Sequence, residues 1–156
     1  MHFPANDEPL ILNGFEVDPR LAALMRRPDW AGKRTSKAWR ERFPAHPECP
    51  GGRLQFVDLI GPEHAKFENA NIRDPDGRIL WGSPSLEFPP GDFDPLSGYL
   101  IGFTDFVDCG IYVDLRASPE PKLIYECGSP RMPVHRTAFE ALSDFIGFYL
   151  EQHGTL

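Results

Sequence analysis

The stretch Ser97 to Arg116, SGYLIGFTDFVDCGIYVDLR, limits the folds open to this chain more than any other. Tyr99, Leu100, Ile101, Gly102 and Phe103 form one apolar run, Thr104 and Asp105 interrupt it, and Gly110 to Leu115 form a second. Both runs are short, rich in aromatic and β-branched residues, and bounded by turn formers, which predicts two strands joined by a turn and buried on at least one face. In the second run Ile111, Val113 and Leu115 alternate with Gly110, Tyr112 and Asp114. A period of two assigns the aliphatic set to the core and leaves Tyr112 and Asp114 on the face that can meet a partner.

Leu123 to Cys127 reads as a third strand after the polar turn Ala117 to Pro121, so short turns join three strands into an antiparallel meander. Thr137 and Glu140 form a Thr-x-x-Glu capping box, predicting a helix from Thr137 that closes over the sheet. Its Phe139, Leu142, Phe145, Ile146, Tyr149 and Leu150 recur at spacings of three and four, and Gly154 marks its far end. Upstream, Asp18 and Pro19 start a helix carrying Leu21, Leu24 and Met25 and ended by Pro28. A second start at Thr35 or Ser36 places Trp39 and Phe43 on one face before Pro44.

Leu10 to Leu12, closed by the turn pair Asn13 and Gly14, predicts a short edge strand, and Leu54 to Ile60 predicts a longer one. Asp74, Pro75, Asp76 and Gly77 suit a type I turn between strands over Phe67 to Arg73 and Arg78 to Trp81. Pro44 to Gly52 and the proline-rich Ser83 to Ser97 read as connections. The expected fold is α+β: a single domain with a mostly antiparallel twisted sheet, short N-terminal helices and a C-terminal helix packed on it. With 156 residues and 41% hydrophobic content, one such domain buries about 70% of its unfolded surface and needs no disulfide framework.

Charge is divided along the chain. Arg20 to Arg53 holds nine Lys or Arg against three acids, a net of +6, whereas Leu54 to Leu115 holds three bases against eleven acids, a net of −8. The basic segment carries no nucleic-acid motif in a chain of net charge −7, so it reads as a solvated helical face and not as a nucleic-acid site. The acidic middle repels phosphate and attracts basic proteins. Cys49, Cys109 and Cys127 are odd in number and widely spaced, as reduced thiols of a cytoplasmic protein are. The start, MHFPANDEPL, has no basic and apolar leader pattern, and no apolar run approaches the roughly 20 residues that span a bilayer, so a soluble cytoplasmic protein with no membrane partner is expected.

Catalytic chemistry finds little support. Asp105, Asp108 and Asp114 are the carboxylates that a small metal-dependent or acid–base hydrolase would use, but turn acids more often accept backbone hydrogen bonds. Asp92 with Asp94, and Asp74 with Asp76, hint at calcium without continuing into a twelve-residue EF-hand loop. Cys-x-x-Cys, paired histidine, nucleophile-elbow and phosphate-loop motifs are all missing, so neither a metal nor a cofactor is expected.

An apolar strand with Gly102, a break at Thr104 and Asp105, a strand carrying Gly110, Tyr112 and Asp114, a proline-rich turn, a third strand and a Phe-rich closing helix together resemble the SUKH superfamily over Gly98 to Leu150. The resemblance implies an α+β binding module, often an immunity protein that neutralises a bacterial toxin by direct contact. An acidic middle carrying aromatics suits such a role, because an acidic inhibitor can occupy the basic cleft of a toxic nuclease. The expected partner contacts are Asp92, Asp94, Asp105, Asp108, Tyr112 and Asp114. A regulatory scaffold with no toxin partner is the third alternative.

Overall fold

The computed structural model describes residues 8–44, 57–73, 97–104, 110–116, 120–129 and 132–153. In chain order the elements are β1 (Ile11–Leu12), β2 (Phe15–Glu16), α1 (Pro19–Met25), β3 (Gly32–Arg34), α2 (Lys37–Arg42) and β4 (Val57–Leu59). They continue as α3 (Pro62–Arg73), β5 (Gly98–Thr104), β6 (Gly110–Asp114), β7 (Lys122–Ser129), β8 (Met132–Phe139) and α4 (Leu142–His153). Strands β3 to β8 form one six-stranded antiparallel sheet in unbroken chain order, while β1 and β2 pair separately. The chain is therefore α+β, and its buried apolar residues form one core cluster spanning helices and both sheets.

Local chemistry explains the N-terminal elements. Asn13 and Gly14 both hold positive φ, 53° and 81°, as a two-residue hairpin turn whose twist matches its strands requires. Asp18 caps α1 by accepting from the Arg20 amide, and Pro19 occupies the first turn, where its missing N–H costs nothing. Ser36 stands at the start of α2, which buries Trp39.

The central strands pair as expected, with Tyr99 opposite Val113 and Val113 opposite Leu123. The register of β5 slips between Leu100 and Gly102, so Ile101 is bulged out of the β6 pairing. Gly102 beside this bulge has no room for a side chain, since a Cβ there would lie 2.7 Å from the Asp58 carbonyl oxygen. All seven residues of β5 and all five of β6 are buried, so both faces of the sheet centre are covered.

On the β4 side the ladder is short. After Val57, Asp58 and Leu59 pair with Thr104, Phe103 and Gly102, the Ile60 amide donates to the Ile101 carbonyl and β4 is finished. Two buried asparagines satisfy what remains of β5. Asn69 of α3 donates from Nδ2 to the Leu100 carbonyl at 2.9 Å and accepts from the Leu100 amide at 2.8 Å, so one carboxamide stands in for a strand residue. Asn13 donates from the β1–β2 turn to the Gly98 carbonyl at 2.6 Å.

Two expectations are corrected and one strand is added. Thr137 does not open a helix: it pairs with Ile124 within β8, which takes up Met132 to Phe139, and α4 begins at Leu142. The capping-box pattern loses because a ladder of seven residue pairs with β7 satisfies that backbone first. The start of α4 is held instead by Glu120, whose carboxylate accepts from the Ser143 amide at 2.7 Å and its hydroxyl at 3.1 Å. Phe67 to Arg73 is not a strand but the end of helix α3, where Ala65 and Asn69, four residues apart, share the buried side. Finally, β3 adds a strand that its Gly-Lys-Arg sequence did not advertise. The expected turn at Asp74 to Gly77 and strand at Arg78 to Trp81 lie outside the described residues.

Candidate functional site

Six residues are expected at the partner face, and Asp92, Asp94, Asp105 and Asp108 lie outside the described residues. The other two are interior. Tyr112 is fully buried, its ring folded back over Gly110, where an added Cβ would sit 2.7 Å from it. Asp114 is 6% exposed and grips Arg116, accepting from the amide and Nε at Oδ1 and from Nη2 at Oδ2, all at 3.0–3.1 Å. Period-two alternation sorts residues between two faces, but it exposes one only where nothing covers the second face of the sheet. Here β6 is covered on both, which corrects the placement of Tyr112 and Asp114 on an open face.

Helix α3 is the described part of the acidic middle that reaches solvent. Phe67 is 65% exposed there, beside Glu63, His64 and Lys66. The polar neighbours are tied along the helix, Lys66 to Glu63 at 3.2 Å and His64 to Glu68 at 3.3 Å. The sequence carried a usable sign of this helix in Pro62 at its first position and Glu63 in its first turn, both favoured at helix N-termini. It carried none of the exposure of Phe67, which depends on how α3 is rotated against β5.

The basic segment is only in part the solvated face expected of it: Arg20, Lys33, Lys37 and Arg42 are exposed, but its aromatic residues are core. Trp30 and Trp39 pack against Phe145 and Tyr149 of α4, with ring centroids 5.2–6.2 Å apart, and Phe43 packs edge-on against Tyr125 at 5.3 Å. Arginines then cover this aromatic block: Arg27 lies over Tyr149, Arg34 over Trp39 and Tyr149, and Arg42 over Phe139 at 4.2 Å. Arg34 is only 8% exposed, and it donates to the carbonyls of Gly32 and Asp29. Burial, with Asp29 nearby, raises the Tyr149 hydroxyl above its ordinary pKa. Arg27, Arg34 and Arg42 therefore work as the charged lid of an apolar core.

Among the described residues no group of three or more His, Cys, Asp or Glu could hold a metal ion, and no helix is long and apolar enough to cross a membrane. Cys49 and Cys109 lie outside the described residues, and Cys127 belongs to β7. Comparison with protein-family models, curated proteins and solved structures finds no match to this chain.

Proposed function

We propose that this chain is a protein-binding module of the immunity type, acting in the cytoplasm and neutralising a cognate toxin by direct contact. Phe67 carries this reading: an aromatic ring 65% exposed within the segment whose net charge is −8. Aromatic residues that bury on association supply much of the binding energy in small interfaces, and surrounding acids steer a basic partner toward them. The anchor is therefore Phe67 in place of the interior Tyr112, with Asp92, Asp94, Asp105 and Asp108 as the proposed acidic contacts. The partner is a basic toxin domain, a nuclease being the kind whose cleft an acidic surface fits; neither nucleic acid nor membrane is a partner.

Capture of partners by the full chain from the cells that make it, followed by mass spectrometry, names the candidate toxin. With that protein purified, binding should abolish its toxic activity. Phe67→Ala should speed dissociation at a cost of about 2 kcal/mol, while reversing Asp92, Asp94 and Asp108 to Lys should slow association and flatten its salt dependence. A bound partner that keeps its activity would make the chain a regulatory scaffold. Wild-type kinetics in both variants would remove this face from the account.

A further inference from the structure

A second surface, away from α3, carries its own chemistry. An open cleft of about 460 Å³ lies between β3, the start of α2 and the last turn of α4. That volume is within the usual range for small-molecule sites. Its walls bring together a lysine, an arginine, two hydroxyls and a carboxamide, from Lys33, Arg34, Thr35, Ser36 and Gln152. All five side chains can donate hydrogen bonds. The one carboxylate in the lining, Asp29, accepts from Nε and Nη2 of Arg27, both at 3.1 Å, so its charge is offset from outside the cleft.

We infer that this cleft binds a small oxyanion, the carboxylate or phosphate group of a metabolite-sized ligand, held by Lys33, Arg34, Ser36 and Gln152. Arg34 supplies the fixed charge. Its guanidinium lies 5.8 Å from the ring centres of both Trp39 and Tyr149 and is fixed by its own partners, Nη1 donating to the Gly32 carbonyl at 2.9 Å and Nη2 to the Asp29 carbonyl and the Tyr149 hydroxyl, so an arriving anion meets a cation already in place. Lys33 and Gln152 are exposed at the rim and close on the ligand from two elements. Ser36 is exposed as well, and its hydroxyl makes no capping bond to α2 although it stands at the capping position. Charge-assisted hydrogen bonds to an oxyanion are roughly twice as strong as neutral ones, which favours an anion over a neutral ligand of similar size.

The test uses the full-length chain labelled for amide NMR, titrated separately with inorganic phosphate, acetate and chloride at matched ionic strength. Phosphate or acetate should produce saturating shifts confined to Lys33–Lys37, the Trp39 indole and Gln152. The anion that saturates at lower concentration identifies the group. The Lys33→Ala/Ser36→Ala double variant, altered only at exposed positions, should bind about tenfold more weakly. Gln152→Ala should weaken binding less, and Lys66→Ala on α3 should leave it unchanged. Shifts that rise linearly and match those of chloride would overturn the assignment. So would saturation in the double variant at the wild-type concentration.

Discussion

Strand β5 is held differently on its two sides. Toward β6 and on to β8 it belongs to a backbone ladder, broken by bulges at Ile101 and between β7 and β8, whose hydrogen bonds are made by peptide groups and not by particular side chains. Toward β4 the ladder stops after three residue pairs, and the carboxamides of Asn69 and Asn13 complete it. The first side distributes its stability over many peptide groups and an aromatic block. The second concentrates it in single side chains, where one substitution strands buried backbone groups.

The largest effect should come from the ladder side, through packing. Phe145 is fully buried against Trp30, Trp39 and Phe139, so Phe145→Ala should cost about 3 to 5 kcal/mol in a urea titration. A loss below about 1 kcal/mol would show that this face of α4 is not core. Next is the opposite side. Asn69→Ala leaves the Leu100 amide and carbonyl without these partners, and should cost about 2 to 3 kcal/mol. Hydrogen exchange separates the two variants: Asn69→Ala should speed exchange first at Leu100, whereas Phe145→Ala should speed it throughout the slow-exchanging sheet. Uniform acceleration in both would erase the distinction between the sides.

A smaller effect is expected at Asn13, whose backbone holds φ 53°. Asn13→Gly keeps that conformation accessible and removes the bond to Gly98, so about 1 kcal/mol should be lost. A larger loss than that of Asn69→Ala would mean that the turn, and not α3, secures this side of β5.

The smallest effect concerns pH. Hydrogen bonds from the Ser143 amide and hydroxyl hold the Glu120 carboxyl below its ordinary 4.5, and the Arg20 side chain, outweighing some desolvation, holds Asp18 below its ordinary 3.8. Both carboxyls therefore contribute stability above those values and lose it as pH falls through their lower folded-state values. The difference in urea midpoint between wild type and Glu120→Gln should accordingly narrow from about pH 6 to about pH 3. A constant difference would mean that Glu120 acts without its charge.

What the sequence determined by itself was local. Asn13 with Gly14, Asp18 with Pro19, and the short apolar runs at Tyr99, Ile111 and Leu123 each favour one backbone conformation through sterics, capping or side-chain periodicity, and each appears where those forces place it. The Thr137 capping box was legible too, but misleading: the same residues satisfy more backbone by pairing with β7, a gain that for Thr137 depends on Ile124, earlier in the chain and outside the capping pattern. Site residues were the least legible. Tyr112 and Asp114 alternate correctly, yet whether their face meets solvent depends on what packs over it, and every residue of β6 is buried. The exposure of Phe67, the carboxamide of Asn69 filling a gap in a ladder, and Arg34 seated between Trp39 and Tyr149 were likewise decided only by tertiary structure. Each depends on the position of a second element relative to the first, and periodicity along one element carries no information about that position.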